Sequence, residues 1–83
     1  MNNERRELIK EVISLIKLSN NAIVSKLNDI IDSIDVSISN LEDYPQFENR
    51  ISNLEDERDG IQEIINNFEI NNDDFISDLE NLT

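Results

Sequence analysis

The sequence predicts an all-α protein, a long antiparallel helical hairpin that turns at Tyr44-Pro45. Three observations carry this prediction. Ile9, Ile13, Ile16, Asn20, Ile23, Leu27, Ile30, Ile34, Ser37 and Leu41 follow at alternating steps of four and three, with no Pro or Gly among them. That is the seam of a helix with a 3.5-residue hydrophobic period. Phe47, Ile51, Leu54, Arg58, Ile61, Ile65, Phe68, Asn72, Phe75, Leu79 and Leu82 repeat the spacing, and the only Pro of the chain lies between the two runs. Two long seams joined by a short connection pack as antiparallel neighbours.

Taken in order, residues 1–6 form a polar lead-in, in which Asn2 or Asn3 can cap the first helix. Glu4 and Glu7 suit the positive end of the helix dipole. The first helix is expected over residues 3–42. Ser19-Asn20-Asn21 is its weak point, since Ser and Asn compete for backbone hydrogen bonds. The seam resumes in register at Ile23, which favours an unbroken helix. Pro45 forces Tyr44 into extended geometry and sets a turn over 43–46. A second helix is expected over 47–70. Asn71-Asn72-Asp73-Asp74 can end it and start a short helix over 73–82, or the helix can run on. Arg58 is placed near Ile30, within reach of Asp29 or Glu55, and Gly60 beside it marks a bend. Tyr44, Pro45 and Phe47 make an apolar tip over the hairpin end.

The first arm is too apolar for a simple pair. Leu8, Val12 and Leu15 line one flank of its seam and Val24, Ile31 and Ile38 the other. A two-stranded seam leaves both flanks wet, so these six residues are expected at a homo-oligomer interface within a larger helical bundle. At 83 residues the chain forms one domain that buries only about 60% of its unfolded surface, so association would add needed stability.

The net charge is −12, from 19 acids and 7 bases. This disfavours direct binding to nucleic acid or to anionic lipid. The charge is uneven: residues 1–26 carry five bases and three acids, and residues 27–83 two bases and sixteen acids. No apolar run reaches the ~20 residues a membrane span needs, and no signal peptide is visible, so a soluble cytoplasmic protein is expected.

His, Cys and Trp are absent and Gly occurs once, which removes the commonest bases, nucleophiles, soft metal ligands and phosphate-cradling loops. Carboxylates on an exposed helix lack the burial that tunes one for acid–base work. No catalytic, metal or cofactor site is expected, and no enzyme. What remains is an acidic surface: Asp29, Asp32, Asp35, Glu42 and Asp43 on the first arm, and Glu48, Glu55, Asp56, Asp59 and Glu63 on the second. Such a strip can steer the chain onto a basic protein surface.

The opening Glu4-Arg5-Arg6-Glu7-Leu8-Ile9, the acidic helix–Pro–helix plan and the use of 14 Ile and 13 Asn resemble small acidic all-helical proteins of phages and other mobile elements. The resemblance is one of style across the whole chain, and no motif carries functional residues over. Several such proteins inhibit host-defence nucleases, among them anti-CRISPR and anti-restriction proteins that mimic DNA. The resemblance implies a protein-binding inhibitor of a host nucleic-acid-binding or defence complex, acting in the host cytoplasm. Two other readings stand beside it. One is a structural helical oligomer that uses its apolar flanks. The other is a nucleotide sponge in which Arg5, Arg6, Lys10 and Lys17 gather at an oligomer interface.

Overall fold

The computed structural model describes residues 2–83, so Met1 of the lead-in lies outside the described residues. Helix α1 spans Asn3–Leu41. A single 3₁₀ turn covers Pro45–Phe47, and helix α2 spans Glu48–Glu80. The two helices pack side by side in a flat rod of 65 × 16 × 10 Å. The fold is all-α, a helical hairpin, with no strand among the described residues.

Local chemistry sets the ends. The Asn2 side chain accepts from the Arg5 backbone N–H at 2.9 Å, satisfying one of the free donors of the first turn. At the other end of α1, the Tyr44 N–H donates to the Leu41 carbonyl at 3.0 Å. Tyr44 is extended (φ −118°, ψ 101°), as a residue before Pro must be, and Pro45 opens the 3₁₀ turn. The Tyr44 and Phe47 rings meet edge to face with centroids 6.0 Å apart, Phe47 half-buried and Tyr44 exposed. The apolar tip is thus a ring contact that folds over the hairpin end.

Neither Asn cluster breaks its helix. Asn72 turns its side chain back along α2 and donates to the Phe68 carbonyl at 2.7 Å, a bond made inside the helix rather than at a cap. A separate helix over 73–82 does not form, and α2 continues through it to Glu80. Gly60 does not interrupt α2 either.

The inward faces differ from the sequence seams in one respect. In α1 the residues turned from solvent are Ile9, Ile13, Ile16, Asn20, Val24, Leu27, Ile31, Ile34, Ile38 and Leu41. Up to Asn20 this is the expected seam; beyond it, Val24 and Ile31 replace Ile23 and Ile30, and Ile38 is buried beside Ser37, which stays half-buried. Ile38 is 6% exposed, against 41% for Ile23 and 45% for Ile30. In α2 the inward residues are Ile51, Leu54, Arg58, Ile61, Ile65, Phe68, Asn72, Ile76 and Leu79. Here the change falls after Asn72, where Ile76 is half-buried and Phe75 is 61% exposed. Each helix therefore takes two successive steps of four at its Asn, Ile16–Asn20–Val24 and Phe68–Asn72–Ile76. An α-helix drifts ~20° per heptad from a strict 3.5 repeat, and an extra step of four resets the phase.

The core is thin. Only Ile13, Ile38 and Ile65 are buried among the described residues, and the other inward side chains are half-covered. The Asn20 Oδ1 atom is buried without a hydrogen-bond partner. An unpaired buried polar atom costs about 1–3 kcal/mol. Asn20→Leu is therefore expected to raise the melting temperature by several degrees at fixed protein concentration, followed by circular dichroism; unchanged or lower stability refutes the cost assigned to Asn20. A methyl group added at Gly60 meets nothing within 4 Å, so Gly60→Ala is expected to add up to about 1 kcal/mol to helix stability in urea titrations.

Candidate functional site

A two-helix layer has two broad sides, and the sequence divides sharply between them. Successive helical residues are turned by ~100°, so the residue before an inward position points to one side and the residue after it to the other. A two-fold axis normal to an antiparallel pair exchanges its helices, so residues preceding inward positions in α1 and in α2 share one side of the rod.

Apart from Ile38, which follows the half-buried Ser37 and is itself buried, every residue that follows an inward position is polar. In α1 these include Lys10, Lys17, Asn28, Asp32, Asp35 and Glu42; in α2, Glu48, Glu55, Asp59, Gln62, Glu69, Asp73 and Glu80. This side carries nine carboxylates against two lysines. The lysines lie in the open half, level with the acids near the end of α2, so uncompensated negative charge concentrates towards the tip. Residues that precede inward positions include Leu8, Val12, Leu15, Ile23 and Ile30 in α1 and Ile64 and Phe75 in α2, all of them exposed.

The acidic residues singled out from the sequence are all exposed, but they do not form one strip. Asp32, Asp35, Glu42, Glu48, Glu55 and Asp59 share the polar side. Asp29 lies on the outer edge of α1, Asp56 and Glu63 lie on that of α2, and Asp43 sits in the turn. Glu69, Asp73 and Glu80 belong to the polar side and are not in the sequence-derived set. Their positions directly after Phe68, Asn72 and Leu79 are the signal that identifies them.

The expected oligomer flanks also divide. Leu8, Val12 and Leu15 are exposed. Val24 and Ile31 are half-buried and Ile38 is buried, because the reset at Asn20 turns them onto α2. They are intramolecular packing residues, and Ile23 and Ile30 take the exposed places expected of them.

Arg58 makes the cross-helix ion pair of the rod. Its Nη1 donates to Asp35 Oδ1 at 3.2 Å, and its Nε lies 3.7 Å from Asp59 Oδ1. Helical side chains lean towards the N-terminus of their helix, which for α2 is the tip, so Arg58 reaches Asp35 rather than Asp29 near Ile30. The hydrogen bond to Asp35 raises its pKa above the ordinary guanidinium value; partial desolvation opposes this, and the charges of Asp35, Asp59 and Glu55 reinforce it. Arg58 thus stays charged, offsets part of the carboxylate charge of the polar side and ties that side together across the two helices.

No group of acidic residues is arranged to hold a metal ion among the described residues. A shallow depression lined by Glu7, Lys10, Glu11, Ser14, Leu15 and Leu18 lies on α1 alone, and one helix cannot enclose a ligand. Arg6, Lys10 and Lys17 fall towards one side and Arg5 away from it, so the four bases proposed for nucleotide capture do not converge within a protomer. No helix is long and apolar enough to cross a membrane. No protein-family model, curated protein or solved structure matches the chain.

A double-mutant cycle with Asp35→Asn and Arg58→Gln is expected to show favourable coupling in thermal melts at about 50 mM salt that shrinks at about 1 M, as for a solvent-exposed pair. Zero coupling at low salt removes the pair as a cross-helix tie.

Proposed function

We propose that this is a small acidic protein-binding protein that works as an assembly of hairpins and engages a basic, nucleic-acid-binding surface on its partner. The observation that carries the reading is the segregation of charge. Nine carboxylates occupy one side of a rod, and the two lysines of that side lie away from its tip. Helical elements hold this pattern fixed, so partner groups meet charges already in place. Fixed negative charge accelerates encounter with a basic groove and competes with the phosphates that groove normally holds. A stoichiometric inhibitor of a host nucleic-acid-binding or defence complex in the cytoplasm is the role that fits this chemistry, and it agrees with the phage-like style of the chain.

A structural module without inhibitory action is the second reading, and the apolar side favours it. The two differ in which side matters. Replacing Glu55, Asp56 and Asp59 by Lys is expected to abolish capture of the partner from a host lysate while leaving helicity intact. Duplex DNA added in excess is expected to release the partner from the unaltered protein. Capture that survives both treatments, and persists at about 1 M salt, refutes the acidic side as the binding surface.

A further inference from the structure

We infer that the apolar side of the hairpin is the dimer interface, covered by a second copy of the same chain placed face to face to give a four-helix bundle. The inference specifies the assembly included in the proposed function and does not depend on the acidic side.

Surface area is the first support. The chain exposes 6251 Å². A compact monomer of 9.6 kDa exposes about 5,100 Å² by the usual scaling of surface with mass. The excess, roughly 1,100 Å², exceeds the ~800 Å² that each partner of a standard stable interface contributes.

The apolar residues also repeat in a matched pattern. Val12, Ile23 and Ile30 are spaced eleven and seven residues apart, and Ile64 and Phe75 repeat the step of eleven, with Leu82 seven further on, just past the end of α2. Both steps return to within about 20° of the same direction, so each helix presents one continuous stripe. The stripes run side by side, and all six residues are more than 40% exposed. Two adjacent stripes on a flat layer form the inner half of a four-helix bundle core.

Charge selects the occupant. The positions that precede inward residues hold two bases, Lys26 and Arg50, and two acids, Glu57 and Asp78. This side is neutral on a chain of net charge −12. Two such chains repel through their acidic sides, whereas the neutral side lets a second copy approach without that cost. A foreign partner selected for a basic surface would instead meet the carboxylates on the opposite side.

Sedimentation equilibrium and light scattering of the purified chain at about 10–100 µM are expected to give twice 9.6 kDa. Ile23→Gln with Ile64→Gln is expected to return the monomer, with dissociation shifted at least ~100-fold. Val36→Gln with Ile70→Gln, exposed apolar residues on the outer edges, is expected to leave the dimer intact. The chain has no Cys, so single cysteines report the face without relying on a destabilised variant. Under oxidation, at least one of Ile23→Cys, Ile30→Cys and Ile64→Cys is expected to cross-link the copies, and Asn28→Cys and Gln62→Cys are not. A monomer at about 100 µM overturns the inference and leaves the face to a foreign chain; equal cross-linking from both sides overturns the face-to-face arrangement. Neither result bears on partner capture by the acidic side.

Discussion

The constraint behind the whole structure is that a pair of helices can hide only one stripe of each. Inward residues alternate at steps of three and four, and each meets a single facing helix rather than a surrounding core. Ile13, Ile38 and Ile65 are buried, while Leu27, Ile34, Ile61 and their neighbours remain half-covered. Such a layer gains less from burial than a globular core of the same length, because every side chain keeps an edge in water. The long helices, the Asn2 cap and the tight tip at Tyr44-Pro45 are local devices that lower the cost of forming the layer. They do nothing for the apolar side, and the sequence spends seven large side chains there.

Much of the fold was legible in the residues. The helical period, the turn at Pro45 and the antiparallel pairing follow from spacing and from the chemistry of one proline. The facing of individual residues beyond Asn20 did not follow. Ile30 and Ile31 are neighbours with the same side chain, as are Ile64 and Ile65, so hydrophobicity cannot choose between them. A strict 3.5 repeat selects Ile23 and Ile30, and a repeat with two successive steps of four at Asn20 selects Val24 and Ile31. Both begin at Ile9 and end at Leu41, so the average period is the same. What separates them is helix phase against a specific partner, a property of three-dimensional packing. Asn72 was ambiguous for a different reason. Its amide can cap a new helix or bond back to the carbonyl four residues earlier, and the local sequence permits both.

That one-residue choice reshapes the reading of the surface. With Val24, Ile31 and Ile38 outward, the apolar excess of α1 would lie on both flanks and demand cover on two sides. With them inward, the excess gathers on one side, where α2 adds Ile64 and Phe75. The acids are sorted by the same rotation. Asp32 and Asp35 follow inward residues and join Glu48, Glu55 and Asp59 across the groove, while Asp29 and Asp56 turn to opposite rims. Arg58 then has a structural reason to occupy an inward position. A Leu there would lengthen the seam, but the guanidinium reaches over to Asp35 and Asp59 and relieves repulsion where the two acidic rows come closest.

The two sides of the rod therefore place opposite demands on any assembly. An apolar side without net charge favours a partner that removes it from water, and among the chains available that includes a copy of itself. An acidic side favours remaining open, since covering it with anything but a basic surface leaves carboxylates desolvated and unpaired. A face-to-face pair meets both demands at once: it buries the neutral sides against each other and turns both acidic sides outward, back to back. Such a bundle would present two equivalent negative surfaces, two helix layers apart, in one rigid body. A basic partner that meets one surface would find the second already fixed in position, so a dimeric target gains by avidity without any new contact.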